Sequence, residues 1–209
     1  MSIFLTPADP LLRARASEVP VHEIPTAPVQ ALLEKMYELS GGERVDPSKR
    51  SLVGLAAPQI GFSKRIILVD VGIRTDRRTF GELRAYINPV IVWHSDDMLW
   101  DCEGCFSVDR RIRGIVPRYA SIRLIAYDRN GNPIEEEHHG YTARIFQHEI
   151  DHLEGIRFPE RVGEEGTLHW VEEAEILEYR KDYFNWHKRC PWEIWTHVKE
   201  GTSFCCPHS

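Results

Sequence analysis

The chain has 209 residues, of which 42% are hydrophobic and 28% are charged, and its formal net charge is −6. These values are typical of a soluble globular protein and argue against sequence-independent binding to nucleic acid, which needs a basic face. No apolar run approaches the ~20 residues of a membrane-spanning helix, and the N-terminus lacks a signal-peptide pattern. We therefore expect a cytoplasmic protein whose five cysteines are thiols or metal ligands rather than disulfides.

The first half of the chain predicts one helix followed by strands. Apolar residues at helical spacing predict an amphipathic helix from Thr26 to Ser40. Residues 43–51 are polar and predict a loop. The β-branched segments 65–71 and 86–92 predict strands, although Pro89 interrupts the second.

The second half predicts a hairpin and then helices. Residues 121–127 alternate with period two and lead to Asn130-Gly131, a strong signal for a hairpin turn. One helix is predicted from about Tyr141 to Leu153 and another from Thr167 to Phe184. Strands followed by a packed helix favour an α+β fold, in which residues 185–209 form a C-terminal extension containing Trp and Cys.

The predicted helix at 141–153 contains the pattern H-E-x-x-H, formed by His148, Glu149 and His152. Four residues advance a helix by ~400°, which leaves the imidazoles ~40° apart around the axis and ~6 Å apart along it. Both can therefore bind one metal ion, and Glu149 can transfer protons to and from water that the metal activates. Alone, the short pattern is also compatible with an ordinary polar helix face.

A hydrolytic metal site needs a third protein ligand and an open coordination position. The residues alone leave Cys102, Cys105, Glu154 and the cysteines of the tail as candidates. Cys102 and Cys105 also form a CxxC pattern, which is typical of structural zinc sites and redox pairs, but the chain has no second CxxC to complete a zinc site.

A third segment, residues 54–61, places one amide side chain, Gln59, among small and apolar residues. Small residues let the backbone approach a ligand closely, and the apolar neighbours favour a buried amide with a fixed direction. Taken by itself, the segment is better explained as a close-packed turn.

Together the three segments resemble those of peptide deformylases. That family carries a Gly-φ-Gly-φ-Ala-Ala-x-Gln segment, a Glu-Gly-Cys-φ-Ser segment and a Gln-His-Glu-φ-Asp-His helix, where φ is an apolar residue. The corresponding segments here are residues 52–59, 103–107 and 147–152, in the same order. The resemblance extends from about residue 3 to residue 162.

The resemblance implies a catalytic domain, residues 1–184, with antiparallel β-sheets around the central motif helix and a C-terminal helix. It implies a hydrolase that removes the formyl group from formyl-methionine at the N-terminus of nascent chains, near the ribosome. It also implies Fe(II) as the metal, with Zn, Ni or Co able to replace it. We expect a monomer that binds neither a membrane nor specific nucleic-acid sequences.

By position, the resemblance makes Cys105, His148 and His152 the metal ligands and Glu149 the catalytic acid and base. Gln59 and the backbone N–H of Phe106 would face the formyl oxygen. Six further residues would line or border the methionine pocket: Val53, Gly54, Glu103, Tyr141, Arg144 and Ile145. Core packing also explains Val53 and Ile145, and Arg144 is equally suited to pair with Glu103.

Three features depart from the family pattern. Leu52 stands where the first Gly of the first segment is expected, Phe106 stands where Leu is usual, and Gly42–Arg50 is a polar insertion. Because of Leu52 and the insertion, a formylated small molecule is an alternative substrate. Two other functions also fit H-E-x-x-H: a zinc peptidase, and a non-catalytic metal-stabilised module that binds a partner through its Trp-rich tail.

The two cysteines of the CxxC pattern give a direct test of the third ligand. We expect Cys105→Ser to lose bound metal, because an alcohol is a poor substitute for thiolate, and the matched Cys102→Ser to keep it. Metal analysis of the purified variants measures the difference. Equal metal loss in both would instead favour a site that uses the whole CxxC pattern.

Overall fold

The computed structural model describes residues 3–41, 52–73, 81–163 and 166–205. The predicted loop at 43–51 and the insertion Gly42–Arg50 lie outside these residues. Eight strands are described: β1 Gly54–Ala56, β2 Ile66–Asp70, β3 Leu83–His94, β4 Met98–Glu103, β5 Ile112–Tyr119, β6 Ser121–Tyr127, β7 Pro133–His139 and β8 Leu168–Trp170. The α-helices are α1 Ala27–Leu39, α2 Gly140–Leu153, α3 Phe158–Val162, α4 Ile176–Tyr179 and α5 Trp192–Glu200.

The strands form two antiparallel sheets with the motif helix α2 between them. One sheet has the order β1-β2-β3-β6-β7 and the other has the order β4-β5-β8. Helix α2 contacts β1, β2, β6 and β7 of the first sheet and β5 of the second. Most of its residues from Ala143 to Leu153 are buried, because the helix packs apolar side chains such as Phe146 against the larger sheet and directs polar ones such as Gln147 and Asp151 to β5. The predicted α+β fold around a central helix is confirmed.

Most of the predicted elements are present. Helix α1 and strands β2 and β6 lie where the spacing of apolar residues predicts them, and β6 continues into β7 through the predicted hairpin. Strand β3 is longer than predicted and runs through Pro89. The register with β6 shifts between Ile87 and Val90, so the proline lies at an irregularity where no ladder bond is required of it.

Asn88 holds this irregular point of β3 in place. Its φ is +52°, a conformation that Asn tolerates better than most residues. The side-chain Oδ1 accepts a hydrogen bond from the backbone N–H of Val19 (2.9 Å), and Nδ2 donates one to Val19 O (2.8 Å). The N-terminal segment is thereby attached to the middle of the larger sheet.

The prediction of a single helix from Thr167 to Phe184 is wrong. Residues 168–170 form strand β8, in which Trp170 pairs with Ile112 of β5, and only Ile176–Tyr179 is α-helical within that range. Pairing with an existing strand buries Leu168 and Trp170 almost completely, which outweighs the helical propensity of the acidic residues that follow. A C-terminal helix is present, but it is α5, inside the 185–209 extension.

Strand β7 forms one border of the larger sheet and carries Glu135, Glu136 and Glu137 in succession.

Within the described residues, we find no helix that is both long enough and apolar enough to cross a membrane.

Candidate metal centre

Cys105, His148 and His152 converge on one point between the two sheets. Their candidate ligand atoms all lie within 4.8 Å of one another, and no other group of this kind is found among the described residues. The Sγ of Cys105 is 3.2 Å from Nε2 of His152. Ligands on one tetrahedral ion, with bonds of ~2.3 Å to sulfur and ~2.0 Å to nitrogen, lie ~3.5 Å apart, so the donor set fits a metal ion.

Helix α2 supplies two of these donors from adjacent turns. The rings of His148 and His152 have centroids 5.0 Å apart and planes at 80°, so their nitrogens face a shared space without stacking. His152 is almost completely buried, and its Nδ1 has no hydrogen-bond partner in the part of the chain that the structure describes.

The loop after β4 supplies the sulfur. Its Cys105 Sγ accepts hydrogen bonds from the backbone N–H of Ser107 and from Gln59 Nε2, each at 3.4 Å. Burial alone would raise the pKa of the Cys105 thiol, but the imidazoles of His152 and His148 outweigh it and hold that pKa well below its ordinary value. The site therefore favours a thiolate, the form that binds metal.

Glu103 orients His148. Its Oε2 lies 2.8 Å from Nδ1 of His148 and its carboxylate also accepts bonds from Arg118 and Arg144. Burial opposes ionisation of Glu103, but Arg118 and the bond from His148 hold its pKa well below the ordinary value, so it acts only as an acceptor. Nδ1 must then carry the proton, which leaves Nε2 free to bind a metal.

Arg118 connects Glu103 to helix α2 through a second carboxylate. Its Nη1 donates to Asp151 Oδ2, and Asp151 also accepts from Arg161. Glu103, Arg118 and Asp151 are each at least 94% buried. The role of Arg118 had no counterpart in the sequence analysis, although an Arg on the inward side of strand β5 is a signal of a buried ion pair.

Glu149 lies against a glycine of the edge strand β1. A Cβ on Gly54 would lie 2.9 Å from Cγ and Cδ of Glu149 and closer still to Oε1. Burial raises the pKa of Glu149 to about 7, against the opposing effect of His148 and His152. Its Oε2 is buried and has no hydrogen-bond partner among the described residues. A carboxyl group with this pKa can accept and release a proton near neutrality.

Gln59 directs its amide nitrogen into the site. Its Oε1 accepts a 2.7 Å hydrogen bond from the backbone N–H of Ala56, which fixes the orientation of the amide. Nε2 then faces Cys105 Sγ and Ser107 Oγ, the latter at 3.3 Å. Ser107 is fully buried beside the predicted ligand, and its residue type alone indicates no role for it.

Phe106, which follows Cys105, has a ring that contacts both another aromatic ring and a cation. Its ring stacks on Phe4 with centroids 4.9 Å apart, and the guanidinium of Arg110 lies 5.0 Å from its centroid. A leucine at this position could not form this aromatic and cationic stack. The phenylalanine that stands at position 106 in place of the usual leucine is therefore matched by Phe4 near the N-terminus.

The predicted pocket residues occupy two environments. Val53, Tyr141 and Ile145 pack against the buried cluster around α2. Arg144 is 3% exposed and donates to Glu103 Oε1 (2.7 Å) and to two backbone carbonyls, so the pairing with Glu103 considered above is present.

Cys102, the other cysteine of the CxxC pattern, lies apart from the ligand cluster. It packs against the side chains of Val171, Tyr179 and Trp186. Neither a structural zinc site nor a disulfide is formed by the cysteines that the structure describes.

Comparison with known proteins places this site in a family. The profile of the polypeptide deformylase family matches residues 1–167. The chain belongs to the polypeptide deformylase family. Peptide deformylase 2 of Bacillus cereus is 38% identical over 175 residues, covering 81% of this chain and 94% of the relative. The peptide deformylase of Streptococcus pyogenes is 39% identical over 193 residues, covering 85% and 93%.

Solved deformylase structures share the fold. The class I type b peptide deformylase of Acinetobacter baumannii, solved with Met-Ala-Ser bound, has a TM-score of 0.64 and 30% identity, covering 76% of this chain and 96% of that one. The Thermotoga maritima deformylase has a TM-score of 0.60 and 34% identity, covering 77% and 96%. The chain is thus a metal-dependent deformylase, a hydrolase that removes N-terminal formyl groups, and the peptidase and binding-module alternatives are not favoured.

The contact between Gly54 and Glu149 predicts that position 54 of β1 tolerates no side chain. We expect Gly54→Ala to displace Glu149 and to lower kcat/KM by at least ~10²-fold, the lower range for loss of a general acid–base group. Metal content should stay unchanged, because the three atoms nearest the added methyl all belong to Glu149 and none to a proposed ligand. Leu177→Ala, at a position that is 72% exposed, is the control. Normal turnover by Gly54→Ala would contradict the assignment.

Proposed function

We propose that the chain hydrolyses the formyl group of formyl-methionine at the N-terminus of newly made polypeptides. The observation that carries the proposal is the position of Glu149. Its buried Oε2 has no hydrogen-bond partner in the part of the chain that the structure describes, and Glu149 adjoins His148 in a helix that also presents His152 to Cys105. The Met-Ala-Ser peptide bound by the Acinetobacter baumannii relative supports a substrate that begins with Met.

We propose Cys105, His148 and His152 as the ligands of Fe(II), with Zn, Ni or Co able to replace it. A thiolate with two imidazoles suits each of these ions, and three protein ligands leave an open position. When bound, the metal supplies Lewis-acid activation of water and of the formyl carbonyl.

The proton transfers are assigned to Glu149. In the hydrolysis, a water oxygen bonds to the formyl carbon and the carbon–nitrogen bond breaks, releasing formate and the free amine. Glu149 takes a proton from the attacking water and delivers it to the leaving nitrogen. Its raised pKa, about 7, suits both steps, because neither the protonated nor the ionised form is strongly disfavoured near neutral pH.

Two donors are proposed to stabilise the negative charge that develops on the formyl oxygen. One is Gln59 Nε2, whose direction is set by the bond from Ala56 to Oε1. The other is the backbone N–H of Phe106, whose ring contacts Phe4 and Arg110. Loss of one donor of this type typically costs ~3 kcal/mol of transition-state stabilisation.

The methionine side chain is proposed to lie against Val53, Gly54, Tyr141 and Ile145. Ile145 belongs to the buried apolar cluster around α2 and Val53 and Tyr141 pack against it, so the three offer the apolar surface that an unbranched side chain such as methionine prefers. Glu103 and Arg144 are proposed to border the pocket while they hold His148. The substrates would be met in the cytoplasm near the ribosome, by a monomer that binds no specific nucleic-acid sequence.

The function is tested with formyl-Met-Ala-Ser and with a blocked peptide that contains only internal peptide bonds. We expect release of formate from the first and no cleavage of the second. Glu149→Ala should keep its metal but lose turnover by roughly 10²–10⁴-fold, whereas the exposed Glu137→Ala on β7 should behave as wild type. Cleavage of the internal bonds, or normal turnover by Glu149→Ala, would refute the proposal.

The metal is tested by anaerobic purification followed by metal analysis and assay before and after exposure to oxygen. An iron–thiolate centre should lose activity in air, because Fe(II) beside a thiolate is readily oxidised. A chelator should abolish activity, and Fe(II) should restore it. Activity that survives oxygen, in a protein containing zinc or nickel, would show that iron is not the native metal.

A further inference from the structure

The end of helix α2 leads directly into a buried arginine. Gly155 turns the chain with a φ of +73°, and the N–H of Ile156 bonds to Asp151 O. Arg157, five residues after the ligand His152, is fully buried. Its Nη1 donates to Pro7 O at 2.6 Å, whereas Nε and Nη2 have no hydrogen-bond partner among the described residues.

Helix α5 covers this arginine with an aromatic ring. The guanidinium carbon of Arg157 lies 4.5 Å from the centroid of Trp195, which is itself 1% exposed. The contact gives the buried cation a favourable partner where part of its hydrogen-bonding capacity is unused. One helical turn later, Lys199 pairs with Glu160, which also accepts the backbone N–H of Arg157. Trp195 and Lys199 of α5 therefore both contact the corner, residues 155–160, that follows helix α2.

The same helix closes the core that surrounds the sulfur ligand. Cys105 belongs to a buried cluster to which α5 contributes Ile194, Trp195 and Val198. Phe158, which follows Arg157, lies in this cluster as well. Thus α5 contacts both the corner that follows His152 and the core around Cys105, although neither ligand belongs to it.

We propose that α5 is part of the scaffold of the metal centre and that Trp195 is a positioning residue for Cys105 and His152. The inference rests on the proposed metal centre, and it assigns a role to the tryptophan-containing extension, residues 185–209, that the deformylase resemblance leaves unexplained. Loss of the ring would leave a cavity in the buried cluster that includes Cys105 and would remove the stacking partner of Arg157. The ligand geometry would then loosen while every ligand remained present.

The test is release of cobalt from the full-length Co(II) protein to excess chelator, followed by the visible absorption of the cobalt–thiolate site. Trp195→Ala should release cobalt roughly 10–100-fold faster, the range for groups that support metal ligands indirectly. Its absorption bands should shift, a change that a loss of global stability alone would not produce. Trp195→Phe, which keeps an aromatic ring over Arg157, should restore most of the slow release.

Two further variants keep the test decisive. Thr196→Ala, on the exposed face of α5, should match wild type in rate and spectrum. Lys199→Met removes only the partly exposed pair with Glu160 and should speed release roughly 2–5-fold even if Trp195→Ala fails to fold. Wild-type rates and spectra in the folded variants at positions 195 and 199 would overturn the inference. A wild-type chain that binds no cobalt would instead overturn the proposed metal centre, and this inference with it.

Discussion

The arrangement of the site depends on the hydrogen bonds that the buried carboxylate of Glu103 accepts. This carboxylate accepts four hydrogen bonds, two from Arg118 on β5 and one each from Arg144 and His148 on α2, which fills its acceptor positions. Removing one member of such a buried set typically costs 3–5 kcal/mol because a charge is left unpaired. Because Cys105 follows Glu103 by two residues, the same contact fixes the sulfur loop relative to the helix that carries the imidazoles.

The sequence was most informative where one local rule determines the structure. The spacing of His148 and His152 requires only that the segment be helical, and burial of its apolar residues ensures this. The Asn130-Gly131 turn and the β-branched segment 65–71 are local in the same sense. Deformylase membership was visible from three short segments, because each combines residues that a metal, a proton or a carbonyl oxygen requires.

The remaining features depend on contacts between distant parts of the chain. The range 167–184 was predicted as a helix because its local pattern suits one, yet Leu168 and Trp170 are buried by pairing with a strand more than fifty residues earlier. Arg118 gains meaning only beside Glu103 and Asp151. No periodicity in the sequence indicates that Trp195 covers Arg157. The division at residue 184 remains a prediction.

The acidic border strand β7 has a consequence for an enzyme whose proposed substrates are unfolded chains. An unpaired strand normally invites another extended polypeptide to add to the sheet. Here Glu135 and Glu137 project from the exposed face of β7, so an added strand that carried negative charge on that face would be repelled. Acidic extended chains are thus discouraged from adding to the sheet along β7, which blocks one route to edge-to-edge aggregation.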